Sequence, residues 1–141
     1  MMWRKLISLI ILAMIAAGTV LAQDAEQKKK DAQAAAEGWL KLVDDGKYGE
    51  SWKTAAEYFR NAVPQAQWEQ QLKAVRSPLG RIISRKLKSA TYATYLPGAP
   101  DGEYVVLLFE TVFEKKQAAF ETVTPMLEKD GKWKVSGYYI K

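Results

Sequence analysis

The chemistry open to this chain is bounded by two residue types it lacks, since it contains neither histidine nor cysteine. His-based and Cys-based metal sites, Ser-His-Asp triads and Cys-His dyads are therefore excluded. Acid–base work would have to run on Asp, Glu, Tyr or Lys. Within that set, Glu110 and Glu121 stand out because each interrupts an apolar, strand-like run. A carboxylate there is unexpected unless its face is wet or the charge is paired. Arg81 and Arg85 are four positions apart, which period 2 places on one face of a strand. An Arg–Glu network across a sheet would satisfy both signs. The same groups lining a pocket would hold an anion or act as an acid–base cluster. Tyr104, Tyr138 and Tyr139 could each place a phenol in such a pocket and equally fit core or cross-strand packing, and Tyr138 is kept with the candidate set. The candidate ligand-binding residues are thus Arg81, Arg85, Glu110, Glu121 and Tyr138, with no catalytic residue, metal or cofactor assigned.

The elements that must position these residues divide into a helical half and a strand half. The spacing predicts a first helix from about Gln27 to Asp45, with Ala32, Ala36, Trp39, Leu40 and Val43 on one face and Gly46 ending it. Gly38 inside it is read as a point of close packing. A second helix is expected over Tyr48–Asn61, with the stripe Trp52, Ala55, Ala56 and Phe59. Pro64 opens a third, carrying Trp68, Leu72 and Val75, and Ser77-Pro78-Leu79-Gly80 breaks it. The tryptophans read as core. The period then changes to 2. Strands are expected over Arg81–Thr94, Glu103–Phe113, Gln117–Glu128 and Lys132–Ile140, the second of them buried on both faces. The loop Leu96–Gly102 is dense in turn residues, and Asp130-Gly131 signals a hairpin. Helices followed by short-connected strands mean α+β: three N-terminal helices packed on a curved four-stranded antiparallel sheet, a cone with room for a pocket.

The N-terminus carries a different kind of information. Arg4 and Lys5 precede the uncharged stretch Leu6–Ala22, which ends in Val20-Leu21-Ala22. This is the pattern of a cleavable signal peptide, with cleavage after Ala22. At 17 residues the stretch is at the lower limit for a membrane span of about 17–25 residues. A lipoprotein would need a cysteine at the cleavage site. The expected organisation is a signal peptide over 1–22, a flexible mature N-terminus over 23–31 and a single α+β domain over 32–141. Cleavage takes the chain from 141 residues to 119 and, by removing Arg4 and Lys5, lowers its formal charge from +5 to +3. So mild an excess does not argue for nucleic acid. Stability without disulfides, in an exported domain, leans toward a bacterial periplasm.

The run Leu96-Pro97-Gly98-Ala99-Pro100-Asp101-Gly102-Glu103-Tyr104 resembles domain-of-unknown-function family 4019 of the bacterial envelope. So does the ending Asp130-Gly131-Lys132-Trp133-Lys134-Val135-Ser136-Gly137-Tyr138-Tyr139-Ile140, and Trp52, Trp68 and Arg81 fit as well. The arrangement is also similar to the nuclear transport factor 2-like, or cystatin-like, cone folds. That resemblance implies no activity, because such folds host enzymes and binding modules alike. Enzymes of that wider group often use an Asp–His pair or an Asp base with a Tyr hydrogen-bond donor, and a chain without histidine lacks the first. The expectation is an exported, non-catalytic module binding a small ligand or an envelope protein, in some cases as a homodimer. It touches membrane only through an uncleaved signal peptide. The alternatives are an isomerase- or dehydratase-like enzyme with a Glu/Tyr pocket and a structural oligomerisation domain.

Overall fold

A computed structural model describes the backbone of residues 2–141 and the side chains from residue 21 onward. Most of the signal-peptide stretch therefore lies outside the residues whose side chains are described. The element order is α1 (Met2–Asp44), α2 (Tyr48–Lys53), α3 (Glu57–Ala62), α4 (Gln65–Arg76), a 3₁₀ turn (Ser77–Leu79), then β1 (Ile82–Ala93), β2 (Tyr104–Phe113), β3 (Lys116–Leu127) and β4 (Trp133–Ile140). The four strands form one antiparallel sheet in the order β1-β2-β3-β4, a meander that stays open rather than closing on itself. The protein is α+β, as its helix-then-strand pattern requires.

The apolar stripe of α1 does what its spacing implies. Ala32, Ala36, Trp39, Leu40 and Val43 are all buried and pack with Val105, Leu107 and Phe109 of β2, Val123 of β3 and Val135 of β4. The helix ends in a Schellman arrangement, with the Lys47 N–H on the Leu42 carbonyl at 2.8 Å and the Gly46 N–H on that of Val43 at 3.1 Å. Gly46 carries the positive φ this needs. Gly38 is not a close-packing point, because a side chain there would meet open space. Residues 23–31, expected to be flexible, lie within α1, where Lys28 reaches Glu103 of the domain at 2.6 Å.

The helical half holds four helices rather than three. The expected helix over Tyr48–Asn61 breaks at Ala55-Ala56. Ala56 is extended and donates its N–H to the Val135 carbonyl of β4 at 2.8 Å. A sheet-edge hydrogen bond there replaces the intrahelical one, and both alanines are fully buried. Trp39, Trp52 and Trp68 are packing residues whose N–H groups all find acceptors: the Ser51 carbonyl, the Val63 carbonyl and the Ser51 hydroxyl. That satisfaction is what permits indole burial.

Beyond its first residue, Tyr104, which is buried, strand β2 is buried on one face only. Val105, Leu107, Phe109, Thr111 and Phe113 are buried, whereas on the other face Val106, Leu108 and Val112 are half-buried and Glu110 is exposed. The helices cover one side of the sheet and leave the other to solvent. The loop before β2 is pinned, with the Tyr58 hydroxyl on the Gly98 carbonyl and the Tyr104 hydroxyl on that of Pro100. Asp130-Gly131 forms the β3–β4 turn, with Gly131 at φ 83°.

Candidate functional site

The helix-facing side of the sheet carries a buried charged cluster. Six elements each supply one side chain: Asp44 ends α1, Arg76 ends α4, and Arg85, Thr111, Glu121 and Tyr138 come from β1, β2, β3 and β4 in turn. Strand alternation explains the last four, since each belongs to the parity that faces the helices. Arg85 is the hub. Its Nη1 and Nη2 donate to the two oxygens of Asp44 at 2.8 and 2.9 Å, and its Nε donates to Glu121 Oε1 at 2.8 Å. This is the bidentate fork that a guanidinium makes on a carboxylate. Arg76 Nη2 donates to Asp44 Oδ1 at 2.8 Å. Two guanidinium and two carboxylate groups leave the cluster with no net charge.

Glu121 is fully buried. Its Oε1 accepts from Arg85 and from the Thr111 hydroxyl at 2.6 Å, and its Oε2 accepts a short hydrogen bond from Tyr138. Burial, and then the Glu121 charge, push the Tyr138 phenol well above its ordinary range. Tyr138 therefore donates and does not ionise. Burial opposes the Asp44 carboxylate, but hydrogen bonds and attraction from Arg85 and Arg76 outweigh it and hold the pKa below the usual range. Arg85 is likewise desolvated, yet its two carboxylate partners raise its pKa further. Arg76 lies over the Phe113 ring, 4.8 Å from the centroid. Its Nε and Nη1 are buried without a hydrogen-bond partner among the described residues. The ring face supplies part of the stabilisation those groups lack.

Of the five candidate residues, Arg85, Glu121 and Tyr138 come together and the other two do not. Arg81 precedes β1, is 90% exposed, and pairs with Glu114 at 2.8 Å. It does not share the Arg85 face, because a register shift between Ile82 and Ser84 breaks the period-2 count. Glu110 points to the open side of the sheet and meets Lys88 at 3.3 Å, both half-exposed. Asp44 and Arg76 were missed. Each is the last charge of a helix, a place where charges usually meet solvent. The available signal was their position four residues, one helical step, beyond the buried Leu40 and Leu72.

A groove opens beside this cluster. It has a volume of about 460 Å³ and is lined by Trp68, Leu72 and Val75 of α4 and by Tyr138, Tyr139 and Ile140 of β4, with Gln71 among the few polar groups. Tyr138 belongs to both places: its ring walls the groove while its hydroxyl is fixed on Glu121. The other side of the sheet carries smaller grooves around Phe120, of about 380 and 300 Å³. Among the described residues, no group of acidic side chains is arranged to hold a metal ion.

A four-stranded antiparallel meander backed by helices and braced by an internal ion cluster defines a small α+β domain. Residues 35–138 match the family described as proteins of unknown function, DUF4019, and the chain belongs to that family. No curated protein matches the chain.

Proposed function

We propose that this is an exported, non-catalytic binding module that uses the α4–β4 groove to hold an apolar group of a ligand or envelope partner. The observation that carries this reading is the state of Glu121. Its two oxygens are occupied by Arg85, Thr111 and Tyr138, and none of its surface reaches solvent. A general base must lie within hydrogen-bond reach of its substrate, and this one is sealed and taken. The enzyme reading through Glu121 and a tyrosine loses its base on those grounds, and Glu110, the other carboxylate considered, meets Lys88 at 3.3 Å on the open side of the sheet. The open, mostly apolar feature next to the cluster is the groove, and the fixed Tyr138 keeps its wall in place before any ligand arrives.

Export rests on the N-terminal pattern of Arg4-Lys5, the apolar stretch and Val20-Leu21-Ala22. The residues after the cut also suit a new helix start. Asp24 followed three positions later by Gln27 has the form of a capping box, and Asp24 and Glu26 favour the positive end of the helix dipole. Among the described residues no helix is long and apolar enough to cross a membrane. Export with cleavage after Ala22 is what would place the module in the periplasm.

Binding is tested by titrating decanoate and an anilinonaphthalene dye into the purified protein, read by native mass spectrometry and tryptophan fluorescence. Trp68 in the groove wall is the reporter. Saturable one-to-one binding that falls at least about tenfold, roughly 1.4 kcal/mol, in Val75→Glu is expected. Val75 is 48% exposed, so this variant retains the fold. Absence of binding, or equal binding by the variant, would sink the reading.

A further inference from the structure

We propose that Gln23 of the exported chain is a modification site, converted to an N-terminal pyroglutamate. This rests on the cleavage after Ala22 proposed above, which makes Gln23 the first residue. An N-terminal glutamine holds a nucleophile and an electrophile in one residue. Its α-amino nitrogen attacks the side-chain carbonyl carbon Cδ and closes a five-membered lactam. The Cδ–Nε2 bond breaks, the proton from the amine passes to the departing nitrogen, and one ammonia is released. No oxidant, metal or co-reactant is consumed. With an ordinary pKa of about 7.7–8.0, an α-amino group is partly neutral and nucleophilic near pH 7.

The structure supplies the steric condition. Gln23 is exposed. Among the described residues, the first ion pair from α1 to the rest of the domain comes more than a turn later, where Lys28 bonds Glu103, just before β2, at 2.6 Å; its pair with Asp24 at 3.2 Å lies within α1. Residue 23 therefore precedes the point at which the helix is held, and its backbone is free to leave the helix and form the ring.

The product has two consequences that follow from charge. The α-ammonium group, which the positive end of a helix dipole repels, is replaced by a neutral lactam. The acidic Asp24 and Glu26, paired with Lys28 at 3.2 Å and Lys29 at 3.1 Å, remain at that end of α1, where negative charge is favoured. The lactam also removes the free amine that an aminopeptidase needs, which gives an exported chain a protected start.

The test is to express the full 141-residue chain in a bacterial host with a periplasm, isolate the exported protein and measure its intact mass and its reaction with an amine-specific N-terminal label. The expected result is the mass of residues 23–141 lowered by about 17 Da, one ammonia, with the N-terminus unlabelled. In Gln23→Ala the cut is retained, no mass is lost and the N-terminus labels. The unmodified mass of 23–141 with a labelled N-terminus, persisting on incubation at neutral pH, overturns the modification and leaves the cleavage reading standing. A full-length mass, or a cut at another position, overturns both.

Discussion

Two glutamates in adjacent strands, Glu110 and Glu121, are alike in sequence context and opposite in environment, and exchanging each for glutamine tests the description of the cluster. Glu121 is fully buried, and its neutralisation leaves Asp44 alone against Arg76 and Arg85, an unbalanced positive charge inside the fold. Removing one partner of a buried ion pair costs about 3–5 kcal/mol. Glutamine keeps the shape and one acceptor oxygen, which brings the expected loss for Glu121→Gln to about 2–4 kcal/mol. For a chain of this size that is a fall in Tm of about 8–16 °C. Glu110 is 49% exposed and meets a Lys88 that is 51% exposed. For Glu110→Gln the expected change is within about 0.5 kcal/mol. Urea unfolding at pH 7, followed by tryptophan fluorescence, measures both. A loss below about 1 kcal/mol for Glu121→Gln, or equal losses for the two variants, would refute the sealed, charge-balanced cluster.

Other expectations follow from the same contacts. Tyr138→Phe deletes one donor to Glu121 and should lower stability by about 1–2 kcal/mol while leaving the groove wall in place, measured by the same unfolding curves. Gly38→Ala fills open space on an exposed part of α1 and should raise stability by about 0.5–1 kcal/mol; a loss would mean that the helix face is covered. Stability should fall in acid. The Asp44 and Glu128 carboxylates have pKa values below their ordinary ones, held there by Arg85 and Arg76 in one case and by the Glu57 N–H and Lys134 in the other, each against the opposing effect of burial. A lowered folded-state pKa contributes stability that is complete above the unfolded-state value, about 4, and is lost as pH drops through the folded-state value. An unfolding midpoint in urea equal at pH 3 and pH 7 would contradict this.

The fold was legible where the pattern was long. Five α1 positions spaced at helical intervals are buried, and the strands keep nearly the predicted bounds because turn residues punctuate them. Two local features escaped. The break at Ala55-Ala56 is fixed by a hydrogen bond to β4 some eighty residues further on, so no local propensity marks it. The one-sided burial of β2 was hidden because Val106, Leu108 and Val112 are as apolar as their buried neighbours, although they face the uncovered side.

The site was legible only to the extent that side-chain parity is. Arg85, Glu121 and Tyr138 stand out in the sequence as charged or phenolic residues within strands, and they meet because each lies on the helix-facing parity of its own strand. Parity counted along the chain failed for Arg81, since one irregular step between Ile82 and Ser84 resets it. A second shift, between Thr124 and Pro125, falls in the β3–β4 pairing that carries Tyr138 opposite Val123. Without that step the two strands would meet one residue out of phase, and a one-residue slip turns a side chain to the other face. The irregularities are therefore part of how the cluster is assembled. They set the strand residues of the cluster on the side where the helix residues Asp44 and Arg76 meet them, and they place the ring of Tyr138 in the wall of the α4–β4 groove. Charge inside this domain thus acts by holding an apolar surface in shape.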